Sequence, residues 1–267
     1  MKPDIITSRK NPKISRFRAL MREKKARDES GIFAAEGEKL FYEAVNSGLM
    51  PKEILITEKF SENNSKFCEF AAKLCNTDII STDLAEYISD TRSPQGVFFT
   101  LALLDKSVNL TTIYNMPRVI SRIIALDGVQ DPGNVGAIIR SCDAFGVDGF
   151  ILSEACADIH SPKVIRSATG SAFRLPVCRG DLTEILPELK SRGFTIIGAV
   201  LNENAKELGS FSFPEKTAVV IGNEGAGISK EVQKLCAEEI YIPVKNAESL
   251  NAAVAASIII YQLQKGE

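Results

Sequence analysis

The sequence predicts an α/β protein built from two domains. Short apolar segments that are typical of buried strands alternate with segments whose apolar residues recur at helical spacing. A length of 267 residues accommodates one large domain or two ordinary ones. A polar stretch with weak periodicity and a proline, residues 107–118, separates two such series. We therefore predict an N-terminal domain over residues 1–106, a linker over 107–118 and a C-terminal domain over 119–267.

The N-terminal domain opens with a basic segment. Residues 1–30 hold ten basic and four acidic side chains, a local charge of +6 in a chain whose net charge is −2. Part of the segment has apolar residues at helical spacing, so we expect a packed helix with these buried residues: Ile14, Phe17, Leu20 and Met21. Such a charge suits nucleic acid or an anionic membrane surface, and a merely solvated helix is an equal alternative.

The remaining elements of the N-terminal domain follow from periodicity and from glycine stop signals. In order, we predict a helix within residues 31–48 that ends at Gly48, a strand at 53–57, a helix at 65–75, a strand at 78–81, a helix at 85–89 and a strand at 97–104.

The C-terminal domain begins with a strand, a loop, a helix and a second strand, the repeating unit of a parallel sheet. The predicted strands are 120–126, 149–152, 175–178, 194–201, 217–221 and 239–244. The predicted helices are one that follows the loop at 130–134, then 159–173, 183–191, 229–236 and a last helix from about 248 to 264.

The first helix of this domain carries an arginine that packing does not require. Its apolar stripe, which we predict to be buried, consists of Ile138, Ile139, Cys142 and Phe145. Arg140 points to another side, together with the small residues Gly136 and Ala137. A cation above small side chains suits a large anionic ligand, and a solvated surface arginine is the simple alternative.

The composition argues against several classes of protein. No apolar run reaches the length of a membrane span, and the charged N-terminus lacks the apolar core of a signal peptide, so we expect a cytoplasmic protein with no membrane partner. The six cysteines form no CxxC pair and the chain has one histidine, so we expect no metal site and free thiols in a reducing compartment.

Three predicted strands of the C-terminal domain end in loops of small and polar residues, at 131–134, 222–227 and 244–251. In a parallel sheet, such loops converge on one crevice where ligands bind. The sequence GNEGAGIS resembles a phosphate-binding P-loop, but Ile228 occupies the position of the required lysine. No GxGxxG motif follows a strand, and Glu224 would suit a ligand with hydroxyl groups or a positive charge.

Four stretches of the C-terminal domain carry a family resemblance. They are DPGNVGAIIRSCDAFG (131–146), SPKVIRSATGSAFRLPV (161–177), VVIGNEGAGIS (219–229) and IPVKNAESLNAAVAASI (242–258). Through them the domain resembles the SpoU (TrmH-like) branch of the SPOUT methyltransferases. The N-terminal domain is similar to the L30e-like substrate-binding domain that precedes many such enzymes, on ITSRKNPKI (6–14), FAAEGEKLFYEAV (33–45) and SPQGV (93–97).

The resemblance implies a fold and an activity. The expected fold is an α/β domain with a parallel sheet and a deep trefoil knot, preceded by a smaller α/β domain, with a homodimer formed through the C-terminal domain. The expected activity is methylation of a ribose 2′-hydroxyl in RNA with S-adenosyl-L-methionine as the cofactor. The L30e-like domain favours ribosomal RNA of the 23S type over tRNA. The alternatives are a tRNA 2′-O-methyltransferase and a non-catalytic RNA-binding protein of the same fold.

The resemblance also implies roles for individual residues. The catalytic set is Asn134, Arg140, Glu224, Ser249 and Asn251. The cofactor-binding set is Ala199, Leu201, Gly222, Asn223, Gly225, Ile242 and Leu250. The RNA-binding set is Arg9, Lys10, Lys13, Lys163 and Arg166.

Simple structural roles remain open for several of these residues. Asn134 or Ser249 could serve only as a helix N-cap, a role that suits both side chains. Lys163 and Arg166 could belong to a solvated helix face. For Arg140, a guanidinium is too basic to accept a proton readily, so we expect it to contact the target phosphate and stabilise charge on the ribose hydroxyl.

Overall fold

A computed structural model describes residues 5–105, 121–202 and 204–265 of the chain. The chain forms two compact units, one comprising Met1–Leu103 with His160–Arg166 and the other comprising Leu104–Ile159 with Ser167–Glu267. The predicted linker, residues 107–118, lies outside the described residues.

The segment 160–166 belongs to the first unit although the sequence places it in the C-terminal domain. The ring of His160, which is buried, lies 5.0 Å from the ring of Phe33. Arg166 forms a bidentate ion pair with Asp90 at 2.6 and 2.8 Å. These contacts join residues more than seventy positions apart in sequence, which local periodicity does not report.

The sheet of the first unit is mixed. Its described strands are β1 (Ile5–Ile6), β2 (Ile32–Glu36), β3 (Glu53–Thr57), β4 (Asn76–Ile80) and β5 (Val97–Ala102). They lie in the order β1-β4-β3-β5-β2, in which β5 runs antiparallel to β3 and β2 while the other pairs are parallel. The described helices are α1 (Pro12–Arg22), α2 (Lys24–Ser30), α3 (Glu38–Asn46), α4 (Glu58–Asn63), α5 (Ser65–Leu74) and α6 (Thr82–Ile88).

Helix α1 confirms the prediction for the basic segment. Asn11 caps it by accepting a hydrogen bond from the backbone of Lys13, and Pro12 occupies the first helical position. Its buried residues are the four predicted from spacing: Ile14, Phe17, Leu20 and Met21. They pack in one cluster with apolar residues of strands β2 to β5 and helix α6.

Strand β2 was not predicted. It occupies the start of the stretch 31–48, where the sequence predicts only a helix, and the helix α3 follows it. Ile32–Glu36 pairs along its whole length with β5, and Gly37 at φ 116° turns the chain between strand and helix. The strand is apolar on both faces, so it shows no alternation to distinguish it from a helix.

The sheet of the second unit is parallel throughout, as the sequence predicts. Its described strands are β6 (Arg122–Asp127), β7 (Gly149–Leu152), β8 (Val177–Arg179), β9 (Thr195–Ala199), β10 (Lys206–Glu207), β11 (Thr217–Gly222) and β12 (Glu238–Tyr241). They lie in the order β10-β12-β9-β11-β6-β7-β8. The described helices are α7 (Pro132–Ala144), α8 (Pro162–Ala168, most of which belongs to the first unit), α9 (Leu182–Ser191), α10 (Lys230–Gln233) and α11 (Ala252–Gln264). None of the helices in the described ranges is long and apolar enough to cross a membrane.

Three helix predictions were clearly too long. The helix predicted at 229–236 spans only Lys230–Gln233. The helix predicted at 159–173 ends at Ala168, because Thr169 and Gly170 adopt positive φ values of 49° and 90°. The last helix begins at Ala252 and not near Glu248, because Asn251 is its N-cap.

The apolar stripe of α7 is shorter than predicted. Ile138, Ile139 and Cys142 are fully buried, whereas Phe145 is 38% exposed. The helix ends at Ala144, so Phe145 leaves the stripe and its ring lies 5.5 Å from the ring of Tyr261 on α11. The prediction that Phe145 is buried was therefore wrong.

Candidate active site

Three loops meet at the carboxyl edge of the parallel sheet. Strand β11 lies between β6 and β9, and β12 pairs with β9, so the segments that follow these strands share one edge. A cavity of about 590 Å³ opens there. Its lining includes all seven residues of the predicted cofactor-binding set: Ala199, Leu201, Gly222, Asn223, Gly225, Ile242 and Leu250. Glu224 and Ser249 of the predicted catalytic set line the same cavity.

The loop after β11 is held in shape by its own hydrogen bonds. Asn223 and Gly227 exchange backbone hydrogen bonds of 2.9 and 3.0 Å. The side-chain oxygen of Asn223 accepts from the backbone of Gly225 and Ala226, each at 2.9 Å. Its amide group donates to the carbonyl of Gly128 at 2.7 Å, which ties this loop to the loop after β6. The cavity wall is therefore fixed before any ligand binds.

Gly222 is required for this loop to close. A Cβ atom at position 222 would lie 2.2 Å from the carbonyl carbon of Gly227 and 2.3 Å from the backbone nitrogen of Ile228. Because both contacts are with backbone, a side chain here would force the loop open.

A hydrogen-bond network connects the three loops through side chains. Asn251 donates to the side-chain oxygen of Asn134 at 3.0 Å, and Asn134 donates to Glu224 at 2.8 Å. Glu224 also accepts backbone hydrogen bonds from Gln130 and Asp131, each at 3.3 Å. Three of the five predicted catalytic residues are thus in direct contact.

The pKa of Glu224 reflects this network. Burial opposes its ionisation, but the hydrogen bonds from Asn134 and from the backbone of Glu224, Gln130 and Asp131 outweigh that effect and lower the pKa. The side chain is exposed, so the cavity presents a stable negative charge to a ligand.

The sequence suggested Asn134 and Ser249 as possible helix N-caps near the site, but two other residues have this role. Asp131 caps α7 by accepting from the backbone of Asn134, and Asn251 caps α11 by accepting from Ala253 and Val254. Asn134 and Ser249 are therefore not N-caps, which removes the simple alternative for both. Asn251 has two functions, because its oxygen caps the helix while its amide group donates to Asn134.

Arg140 lies on α7 nearly two turns beyond Asn134 and is exposed. It does not line the cavity. Gly136 is buried, whereas Ala137 is half-buried. Among the contacts of the described ranges, no ion pair or hydrogen bond involves the guanidinium of Arg140, so its charge is directed to solvent.

The predicted RNA-binding residues differ in their surroundings. Lys13 forms an ion pair with Asp78 at 2.5 Å, and Arg166 pairs with Asp90, so both charges are already compensated within the first unit. The guanidinium of Arg9 lies over the ring of Tyr87, 4.8 Å from its centroid. Lys10 and Lys163 are exposed.

Sequence reasoning missed the backbone donors and one carboxylate of the site. Gln130 and Asp131 act on Glu224 through main-chain N–H groups, which no side-chain motif reports. Asp127, the last residue of β6, accepts a hydrogen bond of 2.8 Å from the backbone of Ser229. Asp127 could have been identified from the sequence, because a carboxylate at the end of a predicted strand is a candidate for the site at that edge of the sheet. Across the described residues, no group of histidine, cysteine and acidic side chains is arranged to hold a metal ion.

Comparisons with known proteins agree with this architecture. Residues 121–261 match the model of the SpoU rRNA methylase family, and residues 11–98 match an MRM3-like substrate-binding domain. The chain is 32% identical to the 23S rRNA (guanosine(2553)-2′-O)-methyltransferase RlmP of Bacillus subtilis, over 97% of this chain and 98% of that protein.

Two crystal structures superpose over nearly the whole chain. An AdoMet-bound rRNA methyltransferase from Sinorhizobium meliloti has a TM-score of 0.85 at 25% identity, covering 99% of this chain and 98% of its own. The SpoU methyltransferase AviRb from Streptomyces viridochromogenes in complex with AdoMet has a TM-score of 0.83 at 29% identity, covering 96% and 97%.

Proposed function

The chain belongs to the SpoU rRNA methylase family, and we propose that it methylates a ribose 2′-hydroxyl of ribosomal RNA with S-adenosyl-L-methionine as the methyl donor. The observation that carries the proposal is the hydrogen-bonded group of Asn134, Glu224 and Asn251 at the edge of a preformed cavity. The alternative class, a non-catalytic RNA-binding protein, would have no need of this arrangement.

The cavity fits the methyl donor in size and chemistry. About 590 Å³ lies within the range of pockets for ligands of this size. S-adenosyl-L-methionine supplies a methyl group on a positively charged sulfur, together with ribose hydroxyls and an adenine ring. The backbone around Gly222, Ile242 and Leu250 offers hydrogen bonds, Ala199 and Leu201 offer apolar surface, and the negative charge of Glu224 suits a cation.

The substrate hydroxyl has to be oriented and its developing charge stabilised, because a neutral ribose hydroxyl is a weak nucleophile. Arg140 presents an exposed guanidinium group, so it contacts the phosphate next to the target ribose and stabilises negative charge on the 2′-oxygen. Asn134 acts as a positioning residue, since both ends of its carboxamide are hydrogen-bonded to Glu224 and Asn251. Through Asn134, the helix that carries Arg140 is hydrogen-bonded to the loop of Glu224, which lines the cofactor cavity.

The second unit also forms a homodimer in this proposal. Helix α11 exposes Val254, Ile258 and Tyr261 by 48%, 39% and 47%, at a spacing that puts them on one helix face. Phe145 extends this face, with its ring 5.5 Å from Tyr261. Exposed apolar patches of this kind are typical of protein interfaces. Substitution of Ile258 and Tyr261 by glutamate is expected to convert a dimer into a monomer in light scattering, and a dimer that persists in this variant would contradict the proposal.

Several finer features belong to the same proposal. They are the domain boundaries 1–106 and 119–267, the trefoil knot in the second domain and a cytoplasmic location, where rRNA is accessible. The first unit contributes RNA binding, which the match to a substrate-binding domain supports. The exposed Lys10 and Arg9 are better candidates for phosphate contacts than Lys13 and Arg166, because the latter two are paired with acids.

Mass spectrometry of RNA from a strain that lacks the gene tests the activity. One ribose methyl group should be missing from rRNA, and in vitro transfer with the purified protein should restore it. A methyl group missing from tRNA would replace rRNA by tRNA as the substrate. If every methyl group persists and no transfer occurs in vitro, the protein is not a methyltransferase. Replacement of Arg140 by alanine should abolish transfer while S-adenosylhomocysteine still binds in calorimetry.

A further inference from the structure

A second cavity lies within the first unit. It has a volume of about 420 Å³ and opens where the loop at residues 89–96 passes the helices α4 and α6. No role in the methyl transfer described above depends on it. The shape of this cavity depends on how firmly the loop is held in place by its contacts with the rest of the unit.

Glu36, at the end of β2, holds this loop. It is 4% exposed and accepts hydrogen bonds from the hydroxyl of Ser89 at 2.5 Å and from the backbone of Gln95 at 2.6 Å. The backbone of Thr91 donates in turn to the hydroxyl of Ser89 at 3.0 Å. One buried carboxylate therefore fastens both ends of the loop. Burial raises the pKa of Glu36, although the two hydrogen bonds oppose that shift.

Two glycines let the loop lie close to the rest of the unit. Gly96 has φ +82°, and a Cβ there would lie 2.6 Å from the hydroxyl oxygen of Thr57 and 3.1 Å from the Cβ of Phe60. Gly37 has φ +116°, and a Cβ there would lie 2.6 Å from the side-chain oxygen of Gln95. The backbone of Thr57 donates to the carbonyl of Gly96 at 2.8 Å. The floor of the cavity is thus closely packed.

The cavity lining combines an aromatic ring with hydrogen-bonding groups and cations. Phe60 lines the cavity, and its ring packs edge-on against that of Phe67 at 5.3 Å. The polar and charged residues of the lining include Asn63, Asn64, Gln95, Lys59, Arg92 and Glu86. The amide groups of Asn63 and Asn64 are held in place, because they donate to the carbonyls of Lys59 and Phe60 at 2.8 and 2.9 Å. Lys59 and Arg92 are exposed, at the rim of the cavity.

We infer that this cavity binds one unpaired nucleotide of the RNA substrate, with the base against Phe60 and the amide groups and the adjoining phosphates at Lys59 and Arg92. The inference rests on the proposed function and deepens it, because it assigns a nucleotide-binding site to the first unit. Proteins that bind RNA with sequence preference recognise unpaired bases by stacking on aromatic rings and by hydrogen bonds to base edges. The two rim cations outnumber the exposed carboxylate of Glu86, and this net positive charge matches the negative charge of the RNA backbone.

The test compares cavity variants with a matched control on another helix of the same unit. The double variant Lys59→Ala/Arg92→Ala removes the rim cations, Phe60→Leu removes the ring, and Ser93→Trp fills the opening. The control, Lys66→Ala/Lys73→Ala, removes two exposed cations of α5 that do not line the cavity. Filter binding with in vitro transcribed 23S rRNA fragments gives the affinity, and calorimetry with S-adenosylhomocysteine reports on the second unit.

Each cavity variant should weaken RNA binding about tenfold, with the control within about twofold of wild type and S-adenosylhomocysteine binding unchanged. The salt dependence of RNA binding should fall by roughly 0.7 in slope for each rim cation removed. If all three variants bind RNA as well as the control does, the inference is wrong. A wild-type protein that binds RNA through the cavity but transfers no methyl group would overturn the proposed function alone.

Photo-crosslinking locates the bound nucleotide directly. Transcripts that contain 4-thiouridine should crosslink to peptides covering residues 57–64 or 89–96, and Ser93→Trp should suppress the adduct. Adducts confined to other peptides would overturn the inference. So would tight binding of free AMP or UMP by wild type when the variants keep their RNA affinity, because the cavity would then be a site for free nucleotides.

Discussion

Glu224 in the second unit and Glu36 in the first are two carboxylates that hold a loop beside a cavity. Glu224 is exposed and accepts hydrogen bonds from Asn134, Gln130 and Asp131. Glu36 is 4% exposed and accepts from Ser89 and Gln95. The pKa of Glu224 is lowered, whereas burial raises that of Glu36.

The comparison of Glu224 with Glu36 shows that burial determines whether a carboxylate can act directly on a ligand. Enough donors surround Glu224 to keep it charged while it faces the cavity, so a ligand meets that charge. Glu36 is covered by the loop that it holds, so a ligand meets only the loop. We therefore expect Glu224 to act on the reaction and Glu36 to act on RNA binding through the loop.

Among the substitutions that test this comparison of two carboxylates, the largest effect is expected from Glu224→Gln. Loss of the charge at the cavity, and of one of the two oxygens that accept hydrogen bonds, should lower kcat about 100-fold, as for other preorganised polar groups of active sites. Measurement of methyl transfer at saturating RNA and cofactor gives kcat. Glu215→Gln, at an exposed position outside the cavity, serves as the control. Activity within a few fold of wild type would show that Glu224 is as indirect in its action as Glu36.

Asn134→Ala should have the next largest effect. It removes the side-chain hydrogen bond that lowers the pKa of Glu224 and breaks the link to Asn251, so misplacement of the loops should cost roughly tenfold in kcat. Because the pKa of Glu224 then rises, the acidic limb of the pH–activity profile should move to higher pH. A profile of unchanged shape would show that the charge of Glu224 does not govern activity.

Glu36→Gln should have a smaller and different effect. An amide cannot accept from both Ser89 and Gln95 as the carboxylate does, so the loop loses part of its anchoring. We expect KM for RNA to rise several-fold while kcat changes little, since a loss of binding alone leaves kcat intact. A fall in kcat at unchanged KM would contradict the division between the two carboxylates.

The smallest effect is on stability, and its sign differs between the two. The raised pKa of Glu36 gives a contribution that is fully present below pH 4.5 and is lost as pH rises through the folded-state value. The lowered pKa of Glu224 gives a contribution that is present above pH 4.5 and is lost as pH falls through its folded-state value. Urea denaturation between pH 3.5 and 7 should show wild type losing stability relative to Glu36→Gln as pH rises. Relative to Glu224→Gln, the trend should reverse. If the stability differences for both variants changed with pH in the same direction, the two carboxylates would not differ in the sign of their pKa shifts.

The second unit was more predictable from sequence than the first, for a physical reason. Loops at the ends of parallel strands must share an edge, so the loops at 222–227 and 244–251 could be expected to converge on one crevice. The family resemblance then supplied Gly222, Ile242 and Leu250, which do line the cavity. Glu36 could not be identified in this way, since its partners lie more than fifty residues away and its strand shows no alternation. Asp131 and Asn251 took the capping roles considered for Asn134 and Ser249, because several residues near each helix start are suitable caps.

For the basic N-terminal segment, the sequence predicted the helix and its buried face. It did not predict which of the basic side chains form ion pairs. Periodicity fixed the buried face of α1, but it does not show which cations pair with acids. Asp78 and Asp90, which neutralise Lys13 and Arg166, are far away in sequence. Ion pairs of this kind depend on tertiary structure, so phosphate contacts cannot be assigned from local charge.

The double role of Asn251 has a consequence for the order in which the protein matures. A ribosome makes the chain from its N-terminus, so the first unit and the strands of the second sheet emerge before Asn251 does. The same side chain starts the last helix and completes the contact with Asn134. A nascent chain whose first unit has already folded therefore still lacks the contact between Asn251 and Asn134, which forms together with the final helix.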